Sequence, residues 1–568
     1  MSMKTCIKGC YLVNGTGSPG RRADILIDDD RIAAIGDLSS VDAKIIDASG
    51  LVVSPGFIDS HTHYDFILGN REDVTCLTPL LYQGITTVIC GNCGISPAPA
   101  IPPGYREQKR FFGETFSRRK WPPEKECRTL GCFLRMVEEN HPIVNTATYV
   151  GFSTIRSSVM GFRSGKADRD EREQMRALVR QSMEDGALGV SFGLEYVCSA
   201  FADTEEMIYV CSDLREYGGR ISAHIRSLGI GMAEATREII AVAEAAGVPL
   251  QISHYAPFCN EALPEFFEGV GEIDMAIERG VPIGIDLVAL LFSMTTSNEF
   301  LPYWLFDGGV DKAAERLKDP AIRREVVEYL TTAVESGFET WKTRLPVYNQ
   351  IVVLGGTADQ FAHQLRLFNF KQPQNLTYHG QTLAAIASAR GQEKEPYEVF
   401  LDLTLEEDFN LYMCVSLSYE GIEENTFEDN DALLKSALPV FQLPYLSCGS
   451  DVIGGDRNEN PGLYSHFPRF IGTIGRDWEA FPLEEAVYKC TGLPAEQFGL
   501  KERGLIKEGF YADLVIFDKD RIRDRATTAN CTEKPEGIHM VILNGQKVVE
   551  DNEYLGQQRY GRVLRNNS

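Results

Sequence analysis

Four times in succession between residues 170 and 286, an amphipathic helical pattern is followed by a short apolar strand. In the first unit a helix over 170–184 ends at Gly186 and precedes the strand 187–192; its apolar positions at helical spacing are Met175, Leu178, Val179 and Met183. The later strands are 220–226, 248–254 and 281–286. Such repeats are typical of parallel strands with right-handed crossovers. In a chain of 568 residues they predict an α/β fold built on a (β/α)8 TIM-type barrel, which we place at residues 55–499.

The two ends of the chain differ from the middle, because they contain short alternating strands without helices between them. Such strands are predicted within 23–36 near one end and at 512–517 and 541–549 near the other, with a hairpin turn at Asn544-Gly545. We therefore expect a small β-sandwich domain that is assembled from residues 1–54 and 500–568 together.

The segment from Ser54 to Asp65 places His61 and His63 two residues apart at the end of an apolar strand. Residues i and i+2 of a strand point to the same face, so both imidazoles can reach one point in space. This is the geometry of a metal site, although two histidines that face a polar cavity give the same pattern. Asp59 and Asp65 are close enough in the sequence to orient an imidazole by a hydrogen bond.

Two further histidines fall where a barrel enzyme carries its chemistry, at the C-terminal ends of strands. His224 and His254 lie near the ends of two successive predicted strands. A lone histidine at such a place is more often a hydrogen-bonded core residue, but two of them beside a His-x-His pair favour metal ligands. The remaining histidines lack this register and are expected to be structural: His141, His363, His379, His466 and His539.

Cys93 and Asp451 are the other candidates for a metal site. Cys93 lies between Gly91 and Gly94, directly after the apolar strand 84–90, and a thiolate is a strong zinc ligand. An inert buried cysteine is the alternative. Asp451 follows a short apolar strand late in the barrel. A carboxylate there could cap the next loop, or it could contact the metal and transfer a proton.

The charge of the chain excludes two classes of partner. It has 81 Asp and Glu residues against 56 Lys and Arg, and a net charge of -25 opposes binding to nucleic acid and to anionic membranes. We find no apolar run of about 18 residues and no apolar segment typical of a signal peptide at the N-terminus. We therefore expect a cytoplasmic protein whose 14 cysteines are reduced.

The ordered series of motifs resembles the amidohydrolase superfamily and, within it, the N-acyl-D-amino-acid deacylases (D-aminoacylases). The segments that carry the resemblance are 55–63, 84–88, 91–94, 186–196, 223–226, 252–254, 449–451 and 509–514. Each is weak to moderate alone, but the series spans about nine tenths of the chain and is specific. The resemblance implies a metal-dependent barrel with a β-sandwich from both termini. It also implies hydrolysis of small-molecule N-acyl-D-amino acids to a carboxylic acid and a D-amino acid.

The resemblance also implies a role for each candidate metal ligand. Cys93, His224 and His254 would be tight zinc ligands, and His61 and His63 would belong to a second, weaker site. Whether one or two metals are bound is left open.

Three further residues take roles in catalysis and substrate binding by the same resemblance. Asp451, at the metal, would be the general base. Tyr196 would polarise the scissile carbonyl, and Arg469 would bind the substrate α-carboxylate, which a guanidinium can contact through two hydrogen bonds.

The chain departs from the family pattern at two places that help to shape the substrate pocket. Ala256 stands where the family commonly has a lysine, and 287–292 replaces a Tyr-Pro-Tyr-like element after Asp286. The acyl and side-chain preferences are therefore open. The segment 288–351 resembles an inserted subdomain that would cover the site as a lid, and 101–127 resembles a further loop insertion.

Alternative functions predict different sequence features. A cyclic amidase of the hydantoinase or dihydropyrimidinase type should carry a lysine for carboxylation in the barrel, and the sequence has no convincing candidate. A dipeptidase-like amidohydrolase stays open. A non-catalytic scaffold should have lost metal ligands, and none of the six candidates is lost.

Overall fold

Strands form both ends of the chain and its central barrel. The computed structural model describes residues 4–68, 74–112, 127–229, 231–256, 263–290, 292–335, 358–416, 434–435, 438–453, 460–527, 530–556 and 558–566. Within them the strands, numbered in chain order, are Thr5–Leu12 (β1), Arg21–Asp28 (β2), Arg31–Gly36 (β3), Lys44–Asp47 (β4), Val52–Pro55 (β5), Phe57–Asp59 (β6), Ile85–Cys90 (β7), Asn145–Thr148 (β8), Val150–Gly151 (β9), Gly189–Gly193 (β10), Arg220–His224 (β11), Leu250–Ile252 (β12), Ile283–Leu287 (β13), Phe292–Thr296 (β14), Leu365–Phe368 (β15), Tyr412–Ser416 (β16), Leu446–Cys448 (β17), Leu514–Phe517 (β18), Ile538–Leu543 (β19), Gln546–Glu550 (β20) and Glu553–Tyr554 (β21).

Helices connect the strands of the middle region and are nearly absent from the described parts of the two ends. The α-helices are Asp65–Leu68, Thr78–Tyr82, Gly104–Phe112, Leu130–Glu139, Phe152–Met160, Arg169–Asp185, Thr204–Cys211, Met232–Ala246, Leu263–Glu278, Val310–Arg316, Pro320–Glu335, Ala358–Gln364, Leu383–Ala389, Pro396–Glu406, Leu438–Phe441, Gly462–Arg469, Leu483–Cys490 and Gly492–Phe498. Short 3-10 helices occur at Ser199–Phe201, Leu214–Tyr217, Ser297–Phe300, Tyr303–Phe306 and Pro373–Tyr378, and a π-helix occurs at Phe470–Asp477.

A closed parallel barrel confirms the predicted fold class. Its strands pair in the order β6, β7, β8 and then β9, β10, β11, β12, β13, β17. The strands β8 and β9 are two halves of one strand that is interrupted at Tyr149. The barrel closes because β17 returns to β6, where the N–H of Asp451 donates to the carbonyl oxygen of His61 at 2.9 Å. All residues of β7 and β10 are buried, as expected for parallel strands that are covered on both sides.

The helix Arg169–Asp185 shows why the periodic pattern was informative. Asp168 accepts a hydrogen bond from the N–H of Glu171, and the Glu171 side chain accepts from the N–H of Asp168, which makes a capping box at the N-terminus. The helix ends at Gly186, whose φ of 112° suits glycine. Met175, Val179 and Met183 are buried, so the apolar face of the sequence pattern packs on the barrel.

The strands from both ends of the chain join in one nine-stranded sheet, in the order β21, β20, β19, β18, β5, β1, β2, β3, with β4 paired to β1. The two ends meet where β5 pairs antiparallel with β18. A second apolar core fills this domain; its members include Ile7, Ile25, Ile27, Leu514, Ile516 and Ile542. The composite β domain therefore lies next to the barrel and shares the short connection between β5 and β6 with it.

The segment between β13 and β17 leaves the barrel and forms a sheet of its own. This antiparallel sheet has the order β14, β16, β15. Since β14 pairs with β16, residues as late as Ser416 belong to the same unit as Phe292. The lid that we predicted over 288–351 begins in this segment, whereas its predicted end and most of the loop predicted at 101–127 lie outside the described residues.

The last residues of the chain contact both the barrel and the composite β domain, where Arg562 pairs with Asp30 at 2.6 Å. The N–H of Leu564 donates to the carbonyl oxygen of Thr146 at 2.7 Å. The N–H of Thr146 donates to the carbonyl oxygen of Arg562 at 2.8 Å. The terminal segment thus lies between the two parts of the chain, and the expected domain bounds stay a prediction. Among the described helices, none has the length and apolarity needed to cross a membrane.

Candidate metal and active site

Four side chains from the C-terminal ends of four barrel strands meet at one point. His61 follows β6, Cys93 follows β7, His254 follows β12 and Asp451 follows β17, and their ligand atoms all lie within 4.8 Å of one another. The Cys93 Sγ is 3.3 Å from the Nε2 of His61 and 3.7 Å from the Nε2 of His254. The Asp451 Oδ1 is 3.3 Å from the His61 Nε2. We call these four residues the metal cluster.

His63 and His224 lie beside the metal cluster, and the expected grouping of ligands stays a prediction. The His63 Nε2 is 3.3 Å from the Asp451 Oδ1. The ring of His224 is centred 4.5 Å from the ring of His254. Its Nε2 is 2.8 Å from the Glu195 Oε2, and its Nδ1 is 3.1 Å from the Tyr196 hydroxyl. His61 thus joins Cys93 and His254 in the cluster, where we expected His224.

Three members of the metal cluster have left-handed backbone conformations that L-residues rarely adopt. The φ angles are 51° for Cys93, 36° for His254 and 50° for Asp451. Such conformations cost about 1 to 3 kcal/mol each and are common at functional sites. The sharp change of direction at a strand end allows each side chain to point towards the barrel axis.

Burial and neighbouring charges together set the protonation of the site. Burial lowers the pKa of His254 to about 3, and it does the same to His224. Both imidazoles are therefore neutral near pH 7, which is the form in which a ring nitrogen binds a metal. Burial also raises the pKa of the Cys93 thiol to about 12, against the opposing charge of His61. Burial acts to raise the pKa of Asp451 as well, but the neighbouring imidazoles, led by His61, hold it well below its usual value.

The donor set fits a zinc ion. One thiol, two imidazoles and one carboxylate are the ligand types that zinc accepts, and all four converge from rigid strand ends. A thiol with a raised pKa loses its proton readily only beside a cation, which a divalent metal would supply. The Asp451 side chain is 32 % exposed while that of His61 is fully buried, so Asp451 borders the open side of the site.

Two buried carboxylates hold the cluster in place. Asp59 accepts hydrogen bonds from the N–H of Ser450 at 2.9 Å and of His61 at 3.3 Å, so it ties the ends of β17 and β6 together. Asp286 accepts from the N–H of His254 at 2.7 Å, and its Oδ1 is 3.2 Å from the His61 Nδ1. We expected Asp59 or Asp65 to orient an imidazole. Asp286 has that position.

The side chain of Arg469 is buried and already bound to other groups of the protein. The guanidinium is buried, where its Nε donates to the carbonyl oxygen of Ala289 at 3.0 Å and its Nη1 donates to Asp524 at 3.1 Å. The side chains of this ion pair are 5 % and 9 % exposed. Asp524 belongs to the loop after β18, so the pair joins the β domain to the barrel. A substrate carboxylate that binds Arg469 would therefore compete with Asp524 for the guanidinium.

Sequence reasoning missed three residues around the cluster: Glu195, Asp286 and His466. Glu195 precedes Tyr196 and Asp286 lies within β13, so the rule that strand ends carry the chemistry could have found both. His466 was expected to be structural. It is buried, which lowers its pKa to about 3, and the charge of Asp451 acts on it. His466 lies on the helix Gly462–Arg469, one turn before Arg469.

A model of the amidohydrolase family matches residues 44–341 and 445–549 of the chain. A D-aminoacylase of Alcaligenes xylosoxydans xylosoxydans is 33% identical over 562 residues, which are 98% of this chain and 96% of that protein. The match therefore includes the barrel and the composite β domain.

Solved structures agree with this match. An N-acyl-D-glutamate deacylase from Bordetella bronchiseptica, complexed with zinc and a phosphonate inhibitor, is 26% identical with a TM-score of 0.77 over 100% of both chains. A D-aminoacylase with a binuclear metal centre, in which one metal activates and the second attenuates, is 30% identical with a TM-score of 0.76 over 99% of both chains. An L-hydantoinase from Arthrobacter aurescens shares the fold alone, at 16% identity and a TM-score of 0.50 over 99% of this chain and 100% of that one.

Proposed function

Because the chain belongs to the amidohydrolase family and, within it, to the N-acyl-D-amino-acid deacylases, we propose that it hydrolyses the amide bond of N-acyl-D-amino acids. The products are a carboxylic acid and a D-amino acid. The observation that carries this proposal is the cluster of His61, Cys93, His254 and Asp451 in a chain that matches a D-aminoacylase over 98% of its length.

We propose that the metal cluster holds one zinc ion tightly, and that His63 and His224 lie where a second, weaker ion would bind. The chemistry that a bound zinc ion supplies is Lewis-acid polarisation of the amide carbonyl and a lowered pKa of water. His63 supports a second site because its Nε2 is 3.3 Å from Asp451. To bind a metal ion, His224 would have to lose its contact with Glu195.

Asp451 is proposed as the general base and acid. It is ionised at neutral pH, because the neighbouring imidazoles outweigh the effect of its burial on its pKa. An ionised carboxylate can take a proton from the attacking water and then protonate the leaving amine. Its hydrogen-bonded backbone, through the N–H to the His61 carbonyl oxygen at 2.9 Å, fixes it against the end of β6.

Tyr196 is proposed to stabilise the developing negative charge on the carbonyl oxygen. Its hydroxyl is buried, and burial together with nearby carboxylates such as Glu299 raises its pKa well above the usual value. It therefore stays protonated and can donate a hydrogen bond. The contact between this hydroxyl and the Nδ1 of His224, at 3.1 Å, fixes its position.

Arg469 is proposed to bind the α-carboxylate of the substrate, sharing its guanidinium with Asp524. A guanidinium carries five N–H donors. That of Arg469 contacts the Ala289 carbonyl oxygen and Asp524, as described above. An arginine can thus contact two carboxylates at once, but the affinity for the second is reduced by the first.

The test is a panel of substrates for the purified protein with its metal content measured in parallel. Hydrolysis of N-acyl-D-amino acids, with little hydrolysis of N-acyl-L-amino acids, dipeptides or hydantoins, is the expected result. Preferential hydrolysis of hydantoins would instead support a cyclic amidase, although the described strand ends carry no lysine for carboxylation. Cleavage of dipeptides would support a dipeptidase-like enzyme, and zinc content without activity would support a scaffold.

A further inference from the structure

A cleft of about 940 Å³ lies between the barrel and the segment that is inserted after β13. On the barrel side it is lined by the loops that follow β10 and β11, and on the other side by the 3-10 helix Tyr303–Phe306 and the helix Pro320–Glu335. It adjoins the active site. Ala200 in its wall is four residues after Tyr196, and Arg226 is two residues after His224.

Aromatic side chains form part of the walls of the cleft. Four rings contribute to the lining: Phe201, Tyr303, Trp304 and Tyr329. Trp304 is 39% exposed, which is unusual for a tryptophan in a soluble domain, whereas Tyr303 beside it is buried. The faces of aromatic rings carry partial negative charge and attract cations that lie within about 6 Å.

Among the described residues that line the cleft, negative charges outnumber positive charges. Lys166 pairs with Asp203 at 2.6 Å. Arg226 pairs with Glu238, with contacts of 2.8 and 3.1 Å. Both cations are thereby neutralised.

Two further carboxylates belong to the described lining of the cleft. Glu325 and Glu328 lie one turn apart on the helix Pro320–Glu335, and among the described residues neither forms an ion pair. The described lining of the cleft therefore combines four aromatic side chains with two carboxylates that have no ion-pair partner among the described residues.

We propose that this cleft binds an organic cation, an ammonium or guanidinium group on an apolar body. The cation would lie against the aromatic faces and near Glu325 and Glu328, and the apolar body would replace water between Trp304 and Phe201. The same chemistry has two possible sources. One is the basic side chain of a substrate such as N-acetyl-D-lysine, which rests on the proposed function. The other is a free organic amine that binds beside the substrate.

The first experiment measures binding directly, independently of any hydrolysis. Calorimetric titration of the full chain with benzyltrimethylammonium should detect binding, and benzyl alcohol, a neutral ligand with the same ring, should bind at least about tenfold more weakly. The double variant Glu325→Gln/Glu328→Gln should weaken binding of the cation by about tenfold, and Trp304→Ala should weaken it by a similar factor.

A matched control removes two charges from the other end of the barrel. Glu216 and Glu278 are exposed and lie shortly before β11 and β13. The variant Glu216→Gln/Glu278→Gln should bind the cation like the wild type. Equal affinity of the wild type for the cation and for benzyl alcohol would overturn the proposal, and so would unchanged cation binding in Glu325→Gln/Glu328→Gln.

The second experiment separates the two sources. If the substrate side chain fills the cleft, kcat/KM for N-acetyl-D-lysine should fall by about tenfold in Glu325→Gln/Glu328→Gln while that for N-acetyl-D-methionine is unchanged, and benzyltrimethylammonium should inhibit competitively. If a free amine is the ligand, the ratio of the two substrates should stay constant and the cation should bind without competition. A protein that hydrolyses no N-acyl-D-amino acid of the substrate panel but binds the cation would refute the proposed function and leave the proposal for the cleft intact.

Discussion

The chemistry of the site depends on single residues whose ordinary properties are changed by burial. Cys93 is the clearest case, since burial raises the pKa of its thiol to about 12 in surroundings where three other donor groups point at the same place. Such a thiol is inert unless a cation binds next to it. Residue by residue, the cluster is arranged for a metal and not for a nucleophilic cysteine.

The first prediction concerns zinc. Replacing Cys93 with Ser should reduce the zinc content from about one ion per chain to a small fraction, because a serine hydroxyl is a poor zinc ligand. Elemental analysis of the purified variant measures this. Cys132→Ala, at a half-buried cysteine on the helix Leu130–Glu139, is the control and should keep its zinc. Full zinc occupancy in the Cys93 variant would show that another group holds the metal.

The second prediction concerns Asp451. Asn has nearly the shape of Asp but cannot accept a proton in its place, so Asp451→Asn should lower kcat by roughly 10²-fold or more while most of the zinc is kept. Steady-state kinetics and elemental analysis of the same sample provide the two measurements. Asp520→Asn, at an exposed aspartate, should change neither. Near-normal turnover with zinc bound would assign the base to a different residue.

The third prediction tests Arg469 together with Asp524. Arg469→Met alone leaves Asp524 buried without its ion-pair partner, at a cost of about 3 to 5 kcal/mol, so a lower Tm is expected. The double variant Arg469→Met/Asp524→Asn should regain much of that stability. If Arg469 binds the substrate carboxylate, the double variant should still lose roughly 10- to 150-fold in kcat/KM toward N-acyl-D-amino acids.

An analogue whose carboxylate is converted to an amide separates binding from stability. The double variant and the wild type should hydrolyse this analogue at nearly equal rates, because the partner of Arg469 is already absent. Equal impairment on both substrates would mean that Arg469 only joins the β domain to the barrel.

At the scale of elements, close contacts between strand ends bring the cluster together. Gly94, after β7, has φ of 73°, and a Cβ at this position would lie 2.6 Å from the N atom of Gly193 at the end of β10. Asp59 ties the ends of β6 and β17 together through two backbone N–H groups. The ligands are therefore positioned by contacts between neighbouring strands as well as by their own strands.

The fourth prediction uses this contact. Gly94→Ala should destabilise the protein and lower its zinc content, because the methyl group must push β7 away from β10 next to Cys93. Gly161→Ala is a matched control: its φ is 61°, and nothing lies within 4 Å of the added Cβ. It should cost only the left-handed strain of about 1 to 2 kcal/mol and keep its zinc. Equal Tm and equal zinc in the two variants would argue against the contact.

At the scale of the whole molecule, both ends of the chain pack against the outside of the barrel. Residues 514–554 complete the β domain that 5–55 begins, and the segment 558–566 then returns to the barrel. The N–H of Gly561 donates to the carbonyl oxygen of Pro142 at 2.8 Å, and Arg565 pairs with Glu138. The barrel thus contacts the C-terminus of the chain at β8.

The fifth prediction follows from this arrangement. A chain that ends at residue 557 should unfold at a Tm several degrees lower, because the backbone groups of β8 and the preceding loop lose their partners. Arg565→Met removes only a partly exposed ion pair and should cost less than about 1 kcal/mol. Thermal unfolding of the three proteins compares them. An unchanged Tm in the truncated chain would show that the terminal segment contributes nothing to the barrel.

The sequence by itself was sufficient for the fold class, and it led to the prediction of a composite β domain and of six candidate ligands. Helical periodicity, capping residues such as Asp168 and glycine stops such as Gly186 are local, and local patterns are readable without a structure. The candidate ligands were found because a parallel barrel brings the C-terminal ends of its strands to one face, so each residue could be placed from its own strand.

Only the tertiary structure decided how these residues group. That His61 joins Cys93 and His254, that Glu195 holds His224, and that Asp524 occupies Arg469 are facts about side chains from different elements. The barrel pattern fixes which strand end a residue lies on, but side-chain rotamers and burial fix which atoms meet. Those depend on packing between segments far apart in the chain, and no local sequence signal encodes such packing.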